Sequence, residues 1–168
     1  MKTMAILIPL GLLALAQRAE AREFFIGGPV KENDMEIVAN YLRDIEMAPM
    51  VPGMVHNGDI IHLEADVHAT ADSVYGYPDG AWIPYLTIAY ELKKTGSDWK
   101  AVGALLPMTA KDGPHYANNL AMGGAGEYRL TYHFEPPEKA GFFRHVDAET
   151  GVPEWWKPFS VSFTFTYP

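Results

Sequence analysis

The strongest constraint on the fold of this chain is a strict alternation of apolar and polar residues close to its C-terminal end. Residues 159–167 read Phe-Ser-Val-Ser-Phe-Thr-Phe-Thr-Tyr, so every second side chain is large and apolar and those between are hydroxyl-bearing. Side chains of a β-strand point to opposite faces with a period of two. The segment therefore predicts a strand with one apolar face, which another layer of the protein must cover.

Shorter runs with the same period recur along the chain. Thirteen prolines and fifteen glycines separate them, and no long stretch has the period of an amphipathic helix. We predict further strands over residues 60–69, 82–92, 99–106 and 127–134. Residues 35–42 fit a strand or a short helix, and their β-branched content favours a strand. Strands at this spacing without intervening helices predict an all-β, antiparallel β-sandwich.

The N-terminus has the pattern of an export signal. Lys2 gives a positive start, residues 4–16 form an apolar run, and residues 19–21 read Ala-Glu-Ala, the small-x-small form of a cleavage site. The apolar run is shorter than the roughly 20 residues of a membrane-spanning helix, although an uncleaved anchor is an alternative. We predict a signal peptide over residues 1–21 and a single exported domain over residues 22–168.

Charge and cysteine content narrow the possible ligands. The net charge of −8 disfavours nucleic acid and anionic lipid as partners and suits cations. The chain has no cysteine, so it has neither disulfides nor thiolate ligands. A metal site in this chain must therefore be built from His, Met, Asp and Glu.

One predicted strand carries ionisable residues on a single face. In residues 61–69, His62, Glu64, Asp66 and His68 share one face, and small or apolar residues line the other. An apolar core accounts for the second face but does not require two imidazoles and two carboxylates opposite it. Residues two apart on a strand can share a metal, so His62 and Glu64 form a candidate ligand pair. A solvated polar face is an equally good interpretation of this segment alone.

Two further segments offer weaker candidates. Met108 lies at the end of a predicted strand, and a Gly-Pro turn at residues 113–114 places His115 nearby. A thioether and an imidazole together suit copper in either oxidation state. Taken singly, a methionine here is usually a core residue and a histidine in a turn is usually solvated. His145, next to an arginine, is by itself typical of a surface loop.

Several segments in combination resemble one protein family. They are residues 61–69, 82–92, 108–116 and 141–152, together with Phe24, Ile26 and Gly27 and with residues 35–37. Over nearly all of the predicted exported domain, the chain is similar to the bacterial periplasmic iron-transport proteins, which include the thirty-four-kilodalton membrane antigen of spirochaetes.

The resemblance implies a fold and a metal site. The fold would be an immunoglobulin-like antiparallel β-sandwich that forms homodimers, with the metal sites at or near the subunit interface. The implied ligands are His62, Glu64, Met108, His115 and His145, the last from the same or the partner subunit. Asp66 and Asp112 match the motif as neighbours, so they would support the ligands or bind an alternate metal.

The resemblance also implies a function in high-affinity iron uptake. The protein would bind copper, carry iron as the transported ion, and act in the periplasm beside an inner-membrane iron permease of the Ftr type. No catalytic residue is predicted. Three other interpretations stay open: a periplasmic copper chaperone or buffer, a copper-dependent enzyme of the ferroxidase type, and an interaction domain whose histidine-bearing face is solvated.

Overall fold

Eight β-strands and one short 3-10 helix form the part of the chain that a computed structural model describes, residues 22–168. The predicted signal peptide lies outside the described residues. The strands are β1 (Phe24–Glu32), β2 (Met35–Leu42), β3 (Ile60–Ala69), β4 (Thr87–Lys94), β5 (Lys100–Ala110), β6 (Gly113–Ala121), β7 (Gly126–Glu135) and β8 (Phe159–Tyr167), with the helix at Pro137–Ala140. Within residues 22–168, no helix has the length and apolar character needed to cross a membrane.

All paired strands run antiparallel, in the order β1-β2-β3-β6-β5-β4-β7-β8. β5 joins the two halves of this order, because it pairs with β4 up to Leu105 and with β6 from Leu106 onward. The terminal strands β1 and β8 also pack together: a Cβ added at Gly27 would lie 2.6 Å from Cδ1 of Phe163. The sheet therefore curls into a nearly closed, barrel-like shape.

The core fills the space enclosed by the two halves of the sheet. The ring of Tyr41 on β2 lies 5.9 Å from that of Phe165 on β8, and the Tyr132 hydroxyl on β7 donates a hydrogen bond of 2.7 Å to the backbone oxygen of Glu64 on β3. The inward side chains of β3 are fully buried: Ile61, Leu63, Ala65 and Val67. Burial of each larger aliphatic side chain contributes roughly 1.5–3 kcal/mol. The polar side chains of β3 consequently point away from this core.

The predicted all-β, antiparallel architecture is confirmed, and the strands predicted over residues 35–42, 60–69 and 159–167 match β2, β3 and β8. The more specific arrangement, an immunoglobulin-like β-sandwich, stays a prediction. β4 begins later than predicted, because Tyr85 has a left-handed φ of 63° that interrupts the extended backbone.

The predicted Gly-Pro turn before His115 is wrong. Gly113 and Pro114 belong to β6, and the turn lies two residues earlier, at Lys111 and Asp112. β1, too, was not predicted. Both unpredicted strands contain glycine and proline, residues that normally indicate turns rather than strands.

Candidate metal centre

Two imidazoles and one carboxylate meet on the outer face of β3 and β6. Oε1 of Glu64 lies 3.5 Å from Nε2 of His62 and 3.3 Å from Nε2 of His115. The three ligand atoms all lie within 4.8 Å of one another. Only 3% of His62, 8% of Glu64 and 6% of His115 is exposed, which rules out a solvated face for these positions.

Strand register produces this convergence. His62 and Glu64 are two residues apart on β3, and Glu64 lies opposite Ala117 on β6. His115 is two residues from Ala117, so its side chain points to the same face. Ala117 itself has no side chain beyond Cβ. The site therefore forms where two neighbouring strands direct polar side chains away from the core.

Asn119 fixes the orientation of His62. Asn119 is 6% exposed, and its Oδ1 lies 2.7 Å from Nδ1 of His62. Nδ2 of the same amide donates to the Val55 backbone oxygen at 3.1 Å, which leaves Oδ1 as an acceptor. His62 therefore carries its proton on Nδ1, and the lone pair of Nε2 is free for a metal.

A cavity of about 790 Å³ opens beside the three side chains. Met108 on β5 lies directly across from His115 on β6 in the strand register, and both residues line the cavity, as does the exposed Asp112. Another wall comes from Leu42 at the end of β2 and from the segment that follows it, where residues 44–49 and Val51 line the cavity. A thioether is thus added to the two imidazoles and the carboxylate.

Burial changes the ionisation of these groups. It raises the pKa of the Glu64 carboxyl to about 8, and the negative charges of Asp66, Glu23 and Asp112 act in the same direction. Burial also lowers the pKa of His62. This imidazole therefore carries no positive charge at neutral pH that would lower the pKa of Glu64 again. In the metal-free site at pH 7, Glu64 is mainly protonated and His62 is neutral, and a cation would displace the carboxyl proton.

A second group of three, made of carboxylates alone, shares Glu64. Carboxylate oxygens of Glu23, Glu64 and Asp66 lie within 4.8 Å of one another. Asp66 accepts a hydrogen bond of 3.0 Å from the amide of Asn40, and Glu23 is exposed. Glu64 therefore belongs to two groups of possible ligands: one with the two imidazoles, and one made of carboxylates alone.

His145 lies outside this cluster and outside the cavity lining. Its side chain is 76% exposed, and its Nδ1 lies 2.7 Å from Oγ1 of Thr150. Because the Thr150 hydroxyl donates to Oδ2 of Asp147 at 2.8 Å, Oγ1 acts as the acceptor for Nδ1–H of His145. Within residues 22–168, its Nε2 has no hydrogen-bond partner. Within one subunit His145 does not reach the other predicted ligands, so its part in the site stays a prediction.

The donor set fits copper. Two imidazoles, a thioether and a carboxylate suit both oxidation states of that metal. Of the predicted ligands, the structure brings together His62, Glu64, Met108 and His115, with Asp66 and Asp112 beside them. Sequence patterns did not indicate Asn119 or Glu23, since Asn119 lies on an unpredicted strand and Glu23 is an isolated carboxylate near the predicted cleavage point.

Comparison with known proteins identifies the family of this chain. The family model described as Fe2+ transport protein matches residues 20–168. The 34 kDa membrane antigen of Treponema pallidum is 34% identical over 134 residues, covering 77% of this chain and 65% of the antigen.

Two solved structures are more similar in sequence and share the fold. The copper-reconstituted P19 protein of Campylobacter jejuni is 50% identical, with a TM-score of 0.83 over 87% of this chain and 96% of P19. FetP of uropathogenic Escherichia coli strain F11, expressed recombinantly in the periplasm, is 49% identical, with a TM-score of 0.81 over 87% of this chain and 96% of FetP.

Proposed function

Because the chain belongs to the Fe2+ transport protein family, we propose that it is a periplasmic metal-binding protein of a high-affinity iron uptake system. It holds copper, binds iron as its cargo, and delivers the iron to an inner-membrane permease. The observation that carries this function is the buried convergence of His62, Glu64 and His115 at 3.3 to 3.5 Å. Buried ionisable groups are costly to a fold unless they are paired or bind a ligand.

Copper would be held by His62, His115 and Met108, with Glu64 completing the set. When bound, copper supplies a redox-active centre that alternates between its monovalent and divalent states. The protein's contribution is to hold Nε2 of His62 and Nε2 of His115 within 3.5 Å of the same Glu64 oxygen and to exclude bulk water by burial. His145 would join the site from the partner subunit of a homodimer, since its exposed Nε2 is available to a neighbouring molecule.

Iron would bind next to copper, at the oxygen-only group of Glu23, Glu64 and Asp66. Carboxylates are the harder ligands of this site, and iron accepts them more readily than monovalent copper does. Because both groups of ligands include Glu64, the transported iron and the copper would bind side by side. The net charge of −8 favours cation capture from solution.

The proposal also includes the type of β-fold, an immunoglobulin-like sandwich. An immunoglobulin-like sandwich is supported by the two antiparallel halves of the sheet that pack across a shared core, as the contact between Tyr41 and Phe165 illustrates.

Metal analysis of untagged protein tests the site. We expect copper to co-purify with the wild type and to be lost in His115→Ala. The matched control is His133→Ala, an exposed histidine on β7 that bonds Ser160 outside the cavity. Unchanged copper content in His115→Ala would contradict the assignment of His115 as a ligand.

A growth experiment separates iron uptake from the second candidate, a periplasmic copper chaperone or buffer, which the thioether of Met108 favours. A deletion strain should grow poorly under iron chelation and recover when iron is added. A strain that is sensitive only to copper, with normal growth under chelation, would favour the copper chaperone.

A further inference from the structure

The methionines of the chain divide into two groups by position. Six of its eight methionines lie in the described residues. Three of the six are buried: Met35, Met54 and Met122. The other three are Met47, Met50 and Met108, which lie in or next to the lining of one cavity. Met47 and Met108 line it, and Met50 lies between Pro49 and Val51, which line it as well.

One of these three side chains is much more exposed than the other two. Met50 is 69% exposed, whereas Met47 and Met108 are partly buried. Met47 belongs to the wall formed by the segment after β2, and Met108 belongs to the wall formed by β5, beside His115. One thioether is therefore at the surface next to the cavity, and the other two line the cavity that His62, Glu64 and His115 also line.

Packing does not explain this placement. Methionine is among the residues most often fully buried, and its flexible side chain normally fills gaps in a core. Met50 fills no gap, and Met47 faces a cavity rather than the core. A thioether is also a soft ligand that selects monovalent copper over iron and other hard cations. Asp44 and Glu46 line the same wall and add negative charge that attracts any cation.

We propose that Met50 and Met47 form an entry site for monovalent copper, which passes the ion to Met108 and the two buried histidines. This inference rests on the proposed copper centre and adds its route of loading. The ion keeps its oxidation state, because each step exchanges ligands without transferring an electron. Divalent copper prefers nitrogen and oxygen ligands, so it reaches His62 and His115 without the methionines.

Loading kinetics test the entry site. Metal-free wild type and the double variant Met47→Leu/Met50→Leu are mixed without oxygen with the Cu(I)–bicinchoninate complex, and the loss of its absorbance is followed. Leucine conserves volume and apolar character while it removes the sulfur. The matched control is Met54→Leu, a buried methionine outside the cavity. A parallel series uses Cu(II) in place of Cu(I).

We expect Cu(I) loading of the double variant to be slower than that of wild type, with Cu(II) loading unchanged and with Met54→Leu equal to wild type. Wild-type Cu(I) rates in the double variant would overturn the entry site, as would an equal slowing of both oxidation states, which indicates general access instead. If wild type retains neither Cu(I) nor Cu(II), the copper centre itself is wrong. Normal Cu(II) binding with unaffected Cu(I) loading refutes only the entry site.

Discussion

The amide of Asn119 determines which nitrogen of His62 is available to a metal. Its Oδ1 accepts the hydrogen bond from Nδ1 of His62 at 2.7 Å, and its Nδ2 is occupied by the backbone oxygen of Val55 at 3.1 Å. Nε2 of His62 is consequently unprotonated and lies 3.5 Å from Oε1 of Glu64. Partners of this kind orient the ligand and tune its basicity.

Replacement of Asn119 by alanine should weaken copper binding by about 10- to 100-fold, because His62 loses the group that fixes its tautomer. The buried Nδ1–H left without a partner should also cost about 1–3 kcal/mol of unfolding free energy. Competition with a chelator of known affinity measures the first effect, and urea unfolding of metal-free protein measures the second.

The neighbouring amide provides the control for that experiment. Asn118 donates to the backbone oxygen of Ala104 at 2.8 Å and, as the next residue on β6, points to the opposite face of the strand. Asn118→Ala should retain wild-type copper affinity. Equal losses of affinity in the two variants would show that Asn119 has no specific influence on His62.

The raised pKa of Glu64 predicts how the stability of the metal-free protein depends on pH. The carboxyl titrates near 4.5 in the unfolded chain and at about 8 in the folded one, so the folded state holds a proton that the unfolded state has released. The stability associated with that proton is fully present below pH 4.5 and is lost as the pH rises through about 8. Wild type should therefore lose up to about 1.4 kcal/mol per pH unit more than Glu64→Gln across this interval. Urea unfolding measures the difference, and parallel pH profiles of the two proteins would contradict it.

Metal binding should release the same proton. At pH 7 a cation displaces it from Glu64, whose pKa is about 8 in the metal-free site. Wild type should release about one more proton per copper than Glu64→Gln does. Calorimetry in buffers of different ionisation enthalpy counts these protons. Equal counts would mean that Glu64 is already ionised before the metal arrives.

Thr150 should control the tautomer of His145. The Thr150 hydroxyl donates to Asp147 at 2.8 Å and so presents its oxygen to Nδ1 of His145 at 2.7 Å. Thr150→Ser preserves this arrangement, whereas Thr150→Val removes it. Imidazole nitrogen chemical shifts of metal-free protein should report Nδ1–H in wild type and Thr150→Ser and a mixture of tautomers in Thr150→Val. Identical shifts in all three proteins would show that the hydroxyl does not hold the ring.

The fold could be predicted from sequence wherever alternation is uninterrupted. β3 and β8 were predicted to the residue, because period-two alternation directly reports which side chains face a core. β1 and β6 were missed, since glycine and proline lie within them. Gly113 and Pro114 fit into β6 because the sheet continues through them, which no local pattern reveals.

Only part of the site can be predicted from the sequence, because local periodicity relates residues that are close in the chain and does not reveal how distant strands pair. His62 and Glu64 are two residues apart, so local periodicity places them together. Asn119 lies 57 residues from His62, and only the pairing of β3 with β6 brings the two into contact. Pairing order depends on how all the strands close around the core. His115 and Met108 were placed by resemblance, and the register of β5 with β6 gives their physical relationship.

Anomalous scattering from crystals loaded with copper and iron tests the central claim most directly. Data collected at the copper edge should give a peak bonded to Nε2 of His62 and His115, within reach of Met108. Data at the iron edge should give a peak among the carboxylates of Glu23, Glu64 and Asp66. Copper located elsewhere on the molecule, or no ordered peak at either edge, would contradict a metal centre built on β3 and β6.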